Sequence, residues 1–332
     1  MTDHPRTGTV VRFIEDCSDC GMEPHPSDSW KLAGKLDLLR IRGEILHLIR
    51  LFFRERHYLE VETPVLIPAP APEPHIDAVA CGDRYLQTSP ELCMKRLLAA
   101  GYPRIFQVCR CFREAERGSR HLPEFTMLEW YAAERDYRFL MDECEALLRF
   151  LSGALFGKEE FTYRGRSMRL SDSWERLSVE QAFRTYGGLS VREALAEDCF
   201  DEVLVSRIEP NLGKERPTFL YDYPVELASL ARTKEADPRV AERFELYLGG
   251  IELANAFSEL IDSREQALRF EEAQQQQVAL GKRPYPWPGR FIEALSAMPP
   301  SAGIALGVDR LVMLLTDQAS VDDVVAFPPE TL

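Results

Sequence analysis

Between Arg104 and Arg138 the chain gathers residue types that can hold a charged, flat ligand. Arg110, Arg113, Glu114, Glu116, Arg117, Arg120 and His121 fall in one short span, and Phe125 follows. Ahead of them, Ile105-Phe106-Gln107-Val108 alternates as a strand does. After them, Phe125-Thr126-Met127-Leu128-Glu129-Trp130-Tyr131 has the aromatic and β-branched content of a returning strand. Strand, charged loop, strand reads as a hairpin with a long tip. Basic groups on the tip and an aromatic on the return strand suit an anionic ligand with a flat ring. A solvated hairpin tip accounts for the same charges equally well.

A second dense stretch runs from Arg243 to Leu260. Two strand-like runs meet at Gly249-Gly250, a good hairpin signal. Glu245, Glu252 and Glu259 recur at seven-residue spacing, with Asn255 among them. Such carboxylates are often merely solvated, but on one hairpin they could hold hard cations through oxygen ligands. Two further candidates sit at helix starts. Ser89-Pro90-Glu91 opens a helix over Leu92 to Ala100, where proline and an acid are ordinary start chemistry. Arg310 follows the small, apolar run Gly303-Ile304-Ala305-Leu306-Gly307 at the start of another helix, where the macrodipole favours anions.

The elements that must position these residues are legible in the same way. Leu38, Ile41, Ile45, Leu48, Ile49 and Phe52 recur at helical spacing, predicting a helix from about Leu36 to Arg56. A strand-prone run broken by Pro64 follows, ending in a Pro/Ala loop. Tyr137 to Phe156 reads as an amphipathic helix, Phe219 to Pro224 as a buried strand, and Asp262 to Leu280 as a polar helix. Residues 158–235 read as a partly helical insertion. Residues 1–30 read as a flexible leader. Within it, Cys17-x-x-Cys20 with His25 nearby could form half of a zinc site, but no second pair has the expected spacing. The eight cysteines otherwise read as free thiols.

The chain has 332 residues, 45% of them hydrophobic, enough for one large core or two smaller ones. Its formal charge of −14 argues mildly against nucleic acid, which usually meets a basic footprint. No apolar run reaches the roughly 18 residues of a membrane span, and the N-terminus has no signal-peptide core. The expectation is a cytoplasmic protein.

The FRxx…RHxPEFTMLEWY pattern of the first hairpin resembles the second signature motif of class II aminoacyl-tRNA synthetases, above all the lysyl-tRNA synthetase group. The long helix, strand and Pro64 resemble the first motif, and Gly303 to Leu315 the third. The likeness extends from about residue 31 to 328. It implies an α+β fold, a mostly antiparallel sheet flanked by helices, in a single catalytic domain over 31–332. It also implies a homodimer built through the first motif.

By that resemblance Arg113 contacts the α-phosphate of ATP and Arg310 clamps ATP from the opposite side, the two making up the catalytic pair. His121 lies near the outer phosphates and Phe125 stacks on adenine. Position 115, a glutamate in the family, is alanine here, so Glu114 or Glu116 is left to meet the adenine edge; Leu122 stands where the family has asparagine. Glu245 and Glu252 correspond to the Mg²⁺ and ATP carboxylates, and Leu253 and Gly307 border the nucleotide. Ser89, Pro90, Glu91, Glu129, Tyr131, Asn255, Glu259 and Ala305 correspond to the amino-acid site, with Glu91 at the α-amino group and Glu259 at the distal ammonium.

The implied reaction is ATP-dependent formation of an aminoacyl adenylate. Some thirty residues before the first helix are too few for the anticodon-binding barrel of lysyl-tRNA synthetases. A catalytic core without that barrel is similar to the enzymes that attach (R)-β-lysine to a lysine side chain of translation elongation factor P. Ser89, Ala254 and Ala305 agree with that group where lysyl-tRNA synthetases usually carry Ala, Gly and Gly. The implied partners are elongation factor P and a lysine-type amino acid, with tRNA disfavoured and no membrane. A truncated lysyl-tRNA synthetase is the competing reading.

Overall fold

The computed structural model describes residues 32–332; the leader and the Cys17, Cys20 and His25 grouping lie outside the described residues. Helix α1 (Leu36–Glu55) buries Ile45, Leu48, Ile49, Phe52 and Phe53, the stripe its spacing predicts. It packs on α2 (Tyr137–Phe156), counting here the long helices that back the sheet. The start of α2 is fixed by Asp136, whose carboxylate accepts from the Arg138 and Phe139 amides, and its end by Gly157 in the left-handed region. Phe53 stacks on Phe106 at 4.9 Å and meets Trp130 at 5.1 Å, joining α1 to the sheet.

The main sheet is mostly antiparallel. Strands β1 (Leu59–Glu60), β2 (Arg104–Phe112), β3 (Glu124–Ala133), β4 (Glu175–Ser178), β5 (Thr218–Pro224), β6 (Asp237–Leu248), β7 (Ile251–Ser258) and β8 (Ser301–Gly307) lie in the order β1-β2-β3-β8-β7-β6-β5-β4. Only the two edge pairs, β1 with β2 and β4 with β5, are parallel. This is the α+β architecture expected.

Register is what builds the site. Glu129 lies opposite Ala305, Ala305 opposite Asn255, and Asn255 opposite Glu245. The neighbouring row is Tyr131, Gly303, Phe257 and Arg243. Because side chains alternate across a strand, these two rows share one face, while Leu128, Trp130, Phe244, Ala256 and Ile304 enter the core beneath the helices. A single lock holds the third motif in place. Asp309 forms an ion pair with Arg42 of α1 at 2.6 Å and accepts the Thr126 amide of β3 at 2.8 Å. The next residue, Arg310, is thereby aimed over the same face.

Two boundaries differ from the sequence reading. The strand-prone run after α1 does not continue through Pro64. β1 ends at Glu60, and Leu66–Ile67 instead pairs in a small three-stranded sheet with Arg84–Leu86 and Ala80–Cys81. Pro64 offers no amide to a ladder, so the chain changes sheets there. Residues 158–235, read as partly helical, are helical in pieces between Val179 and Asn211 and again in one turn at Val225–Leu227, while β4 and β5 belong to the main sheet.

Candidate active site

The exposed face of the sheet floors a cavity of about 940 Å³. Of the residues that the family resemblance assigns to the site, all but Glu114 and Pro90 line it; of the other hairpin-tip cations Arg120 lines it, while Arg110 and Arg117 do not. Pro90 is buried at the start of the helix Glu91–Ala99, and Glu114 faces solvent while its amide donates to the Asp77 carbonyl. Between the two carboxylates left open at the adenine edge, Glu116 is thus the one that borders the cavity. Ala115 adopts a φ of 61°, which turns the loop so that its two neighbours point apart.

One end of the cavity is cationic. The Arg113 guanidinium lies 5.1 Å from the Phe125 ring centroid, and its Nη1 reaches Glu116 at 3.5 Å. Its buried Nε has no hydrogen-bond partner, a donor left for a ligand acceptor. Arg310 donates from Nη1 to the Glu252 carbonyl at 2.7 Å and from Nε to the Arg120 carbonyl at 3.2 Å, so its position is fixed by backbone. Its Nη2 meets His121 Nε2 at 2.7 Å. Burial, and then the charge of Arg310, hold the His121 imidazole below its ordinary range, so it accepts from the guanidinium.

Glu245 and Glu252 form the middle. Glu245 accepts from Arg243 at 2.6 Å and from Tyr247 at 2.7 Å, and Glu252 pairs with Arg310 at 3.3 Å. Burial, and then the negative charge of Glu245, raise Glu252 above the usual carboxylate range. Two carboxylates held close enough to repel suit a cation between them and a phosphate. Among the described residues no cluster of three or more metal-ligating side chains occurs. Glu245 and Glu252 are the carboxylates available here to a hard cation that completes its shell with ligand oxygens and water.

The other end is anionic and dry. Glu129 is 1% exposed; it accepts from Ser89 Oγ at 2.6 Å and from the Tyr131 hydroxyl at 2.7 Å. Burial, reinforced by Glu91, pushes its carboxyl up to about 7. Glu259 is also 1% exposed, and burial raises it too, while Lys95 pulls it back. Asn255 accepts from Arg243 Nε at 3.2 Å, which joins the two ends of the floor.

Several cavity residues were not singled out from sequence. Gly303 lies directly beneath the Tyr131 ring and the Glu259 carboxylate. Glu73, in the Pro/Ala loop, lines the roof, and burial pushes its carboxyl to about 7. That loop is pinned by Gln277 to the Glu73 carbonyl, by Lys282 to Asp77 and by Tyr285 to the Ala78 amide. Arg243 was read only as a strand residue. Its alternation with Glu245 on one strand face was the available signal.

The sequence model of the tRNA synthetases class II (D, K and N) matches residues 33–331. A protein of Erwinia tasmaniensis named elongation factor P--(R)-beta-lysine ligase is 42% identical over 317 residues, covering 90% of this chain and 97% of that protein. Its counterpart of the same name in Proteus mirabilis is 41% identical over 316 residues with the same coverage. A lysine--tRNA ligase of Methylobacillus flagellatus is 39% identical over 313 residues, but the match spans only 62% of its length. The chain therefore belongs to the class II tRNA synthetases (D, K and N) and, within them, to the family of the elongation factor P--(R)-beta-lysine ligases.

Proposed function

We propose that this protein activates (R)-β-lysine with ATP as an aminoacyl adenylate and transfers the acyl group to a lysine side chain of elongation factor P. One observation carries the reading: a single cavity floor joins a cationic end, fit for phosphates, to a buried carboxylate end, fit for ammonium groups. The names and near full-length coverage of the relatives supply the acceptor.

In the first step a carboxylate oxygen of the amino acid attacks the α-phosphorus of ATP and pyrophosphate leaves. Both reactants carry negative charge, so the protein's task is neutralisation and alignment. Arg113, with its unpartnered Nε, faces the phosphate from one side, and Arg310, held by two carbonyls, from the other. When bound at Glu245 and Glu252, Mg²⁺ supplies further neutralisation of the phosphate oxygens. Phe125 and Glu116 hold the base, while Glu91 and Glu259 anchor the amino groups, with Glu129 and Tyr131 beside them, so that the carboxylate points toward Arg113. In the second step the acceptor amine attacks the acyl carbonyl, AMP departs, and an amide forms. No side-chain nucleophile is required.

We extend the reading to assembly and place. Leu36, Leu51, Leu59, Val65 and Leu66 are exposed on α1 and the strands that follow, an apolar surface suited to a homodimer. Among the described residues no helix is long and apolar enough to cross a membrane, in keeping with work on a translation factor in the cytoplasm.

Intact mass of elongation factor P after incubation with the protein, ATP and (R)-β-lysine tests the proposal. The expected result is addition of one lysyl group, with tRNA(Lys) left essentially uncharged in parallel. Efficient charging of tRNA and an unchanged factor would establish the lysyl-tRNA synthetase reading instead.

A further inference from the structure

The amino-acid end of the cavity contains an ammonium group of its own. Lys95 lies one turn after Glu91 on the helix Glu91–Ala99, with its side chain 1% exposed. Its Nζ is 2.5 Å from Glu91 Oε1 and 2.5 Å from Glu259 Oε2. Lys95 is not part of the cavity wall, whereas both carboxylates are. It therefore sits behind them and is walled off from the ligand space. A side chain so placed cannot act as a stand-in that leaves when substrate enters.

We propose that Lys95 is a positioning residue of the amino-acid site: a permanent buried counterion that favours the charged form of Glu259 against its burial and holds Glu91 and Glu259 with an oxygen of each toward the substrate ammonium groups. The inference rests on the amino-acid activation proposed above. Both Glu259 oxygens are sealed from solvent and neither has a hydrogen-bond partner; Oε2 lies 2.5 Å from the Lys95 ammonium as an ion pair, which leaves Oε1 for a ligand donor. A buried carboxylate with no counterion protonates, and a neutral carboxyl binds an ammonium poorly. Among the described residues the surroundings offer no substitute: Arg243, in the neighbouring row of the floor, is taken by Glu245 and Asn255. From β3 come Glu129 and Tyr131, from the roof comes Glu73, and the nearest helix beyond contributes the Arg269–Glu265 pair, already closed on itself. Arg232, on the segment bridged to Glu259, is occupied by Glu242. Lys95 pulls Glu259 down against burial, and both carboxylates in turn raise Lys95.

The test is the pH profile of ATP–pyrophosphate exchange with (R)-β-lysine and with L-lysine, for wild type, Lys95→Met and Lys95→Arg. In Lys95→Met the acid limb of kcat/KM for the amino acid is expected to move up by about one pH unit or more. At neutral pH the loss is on the order of 10²-fold, partly recovered at alkaline pH, with the KM for ATP unmoved. Lys95→Arg retains the charge, so its acid limb stays at the wild-type position even where the larger group lowers the rate. A wild-type limb in folded Lys95→Met, equal losses in both variants at every pH, or a displaced limb in Lys95→Arg would overturn the proposal. A wild type that exchanges with neither amino acid refutes the activation reading itself, and the role of Lys95 falls with it.

Discussion

Gly303 carries a prediction whose size can be worked from distances. A Cβ at this position would lie 2.2 Å from Tyr131 Cε1, 2.3 Å from Tyr131 Cδ1 and 2.3 Å from Glu259 Oε1. Ordinary contact begins at 3.4 Å, so the ring and the carboxylate would both have to retreat by roughly an ångström in a close-packed site. With Tyr131 3% and Glu259 1% exposed, the only retreat is into the ligand space, and the Tyr131 hydroxyl is tied to Glu129 at 2.7 Å. Overpacking of this kind costs about 1–3 kcal/mol. Breaking a hydrogen bond to a charged group adds about 1.5–3 kcal/mol where the ring moves far enough. Gly303→Ala is therefore expected to lose about 2.5–6 kcal/mol of stability where the bond breaks, a fall of roughly 5–12 °C in Tm. Exchange assays well below the new Tm should show kcat/KM for the lysine-type substrate reduced by about 10–200-fold, with the KM for ATP near wild type. A variant with unchanged Tm and unchanged amino-acid kinetics would refute the reasoning, because no side chain can enter that space without displacing the two groups.

Ala305 faces the cavity between Glu129 and Asn255, so removing its methyl should enlarge the floor; Ala305→Gly is expected to raise the ratio of kcat/KM for α-lysine over (R)-β-lysine by about 10-fold, and an unchanged ratio in a stable variant would mark Ala305 as packing alone. Glu129 supplies a pH prediction: its carboxyl, at about 7 in the folded protein, binds a proton there that the unfolded chain releases near 4.5, so its contribution to stability falls as pH rises across that window. Glu129→Gln should flatten the dependence and leave the ligand-free protein more stable at pH 8, by on the order of 1–3 kcal/mol, while amino-acid activation is lost; equal slopes for variant and wild type in denaturant titrations across pH 5–8 would contradict this.

The legible parts of the fold were those with a strong local period. Helix Tyr137–Phe156 and strand Thr218–Pro224 lie where their apolar spacing puts them. The strand Glu175–Ser178 escaped notice because Glu-Arg-Leu-Ser has no run of alternating apolar residues; it is an edge strand paired to one neighbour and tied down by long-range contacts such as Arg176 to Asp142 and Leu177 to the core. The same limit applied to the extended run through Pro64, where the chain's move to a second sheet depends on a partner strand some twenty residues away.

In the candidate site, charge was easy to see in the sequence and counter-charge was not. Glu91, Glu129, Glu245, Glu252 and Glu259 stand out as acids within recognisable motifs. Lys95 is an unremarked lysine in a helix whose Glu–Lys spacing reads as an exposed surface pair. Only the packing of that helix against β3 and the helix Gly289–Leu295 brings Lys95 to Glu259, 164 positions away, and turns a weak surface pair into a buried three-centre contact. Gly303 was hidden for the converse reason. Its backbone dihedral is unexceptional, so nothing local asks for glycine; the demand comes from the Tyr131 ring on the neighbouring strand and the Glu259 carboxylate beside it. Sequence pattern thus located groups that line the cavity, while the groups that set their charge and their room became visible only through long-range register. That division follows from the chemistry: a ligand contact needs a particular residue type, whereas a counterion or a gap needs only a place.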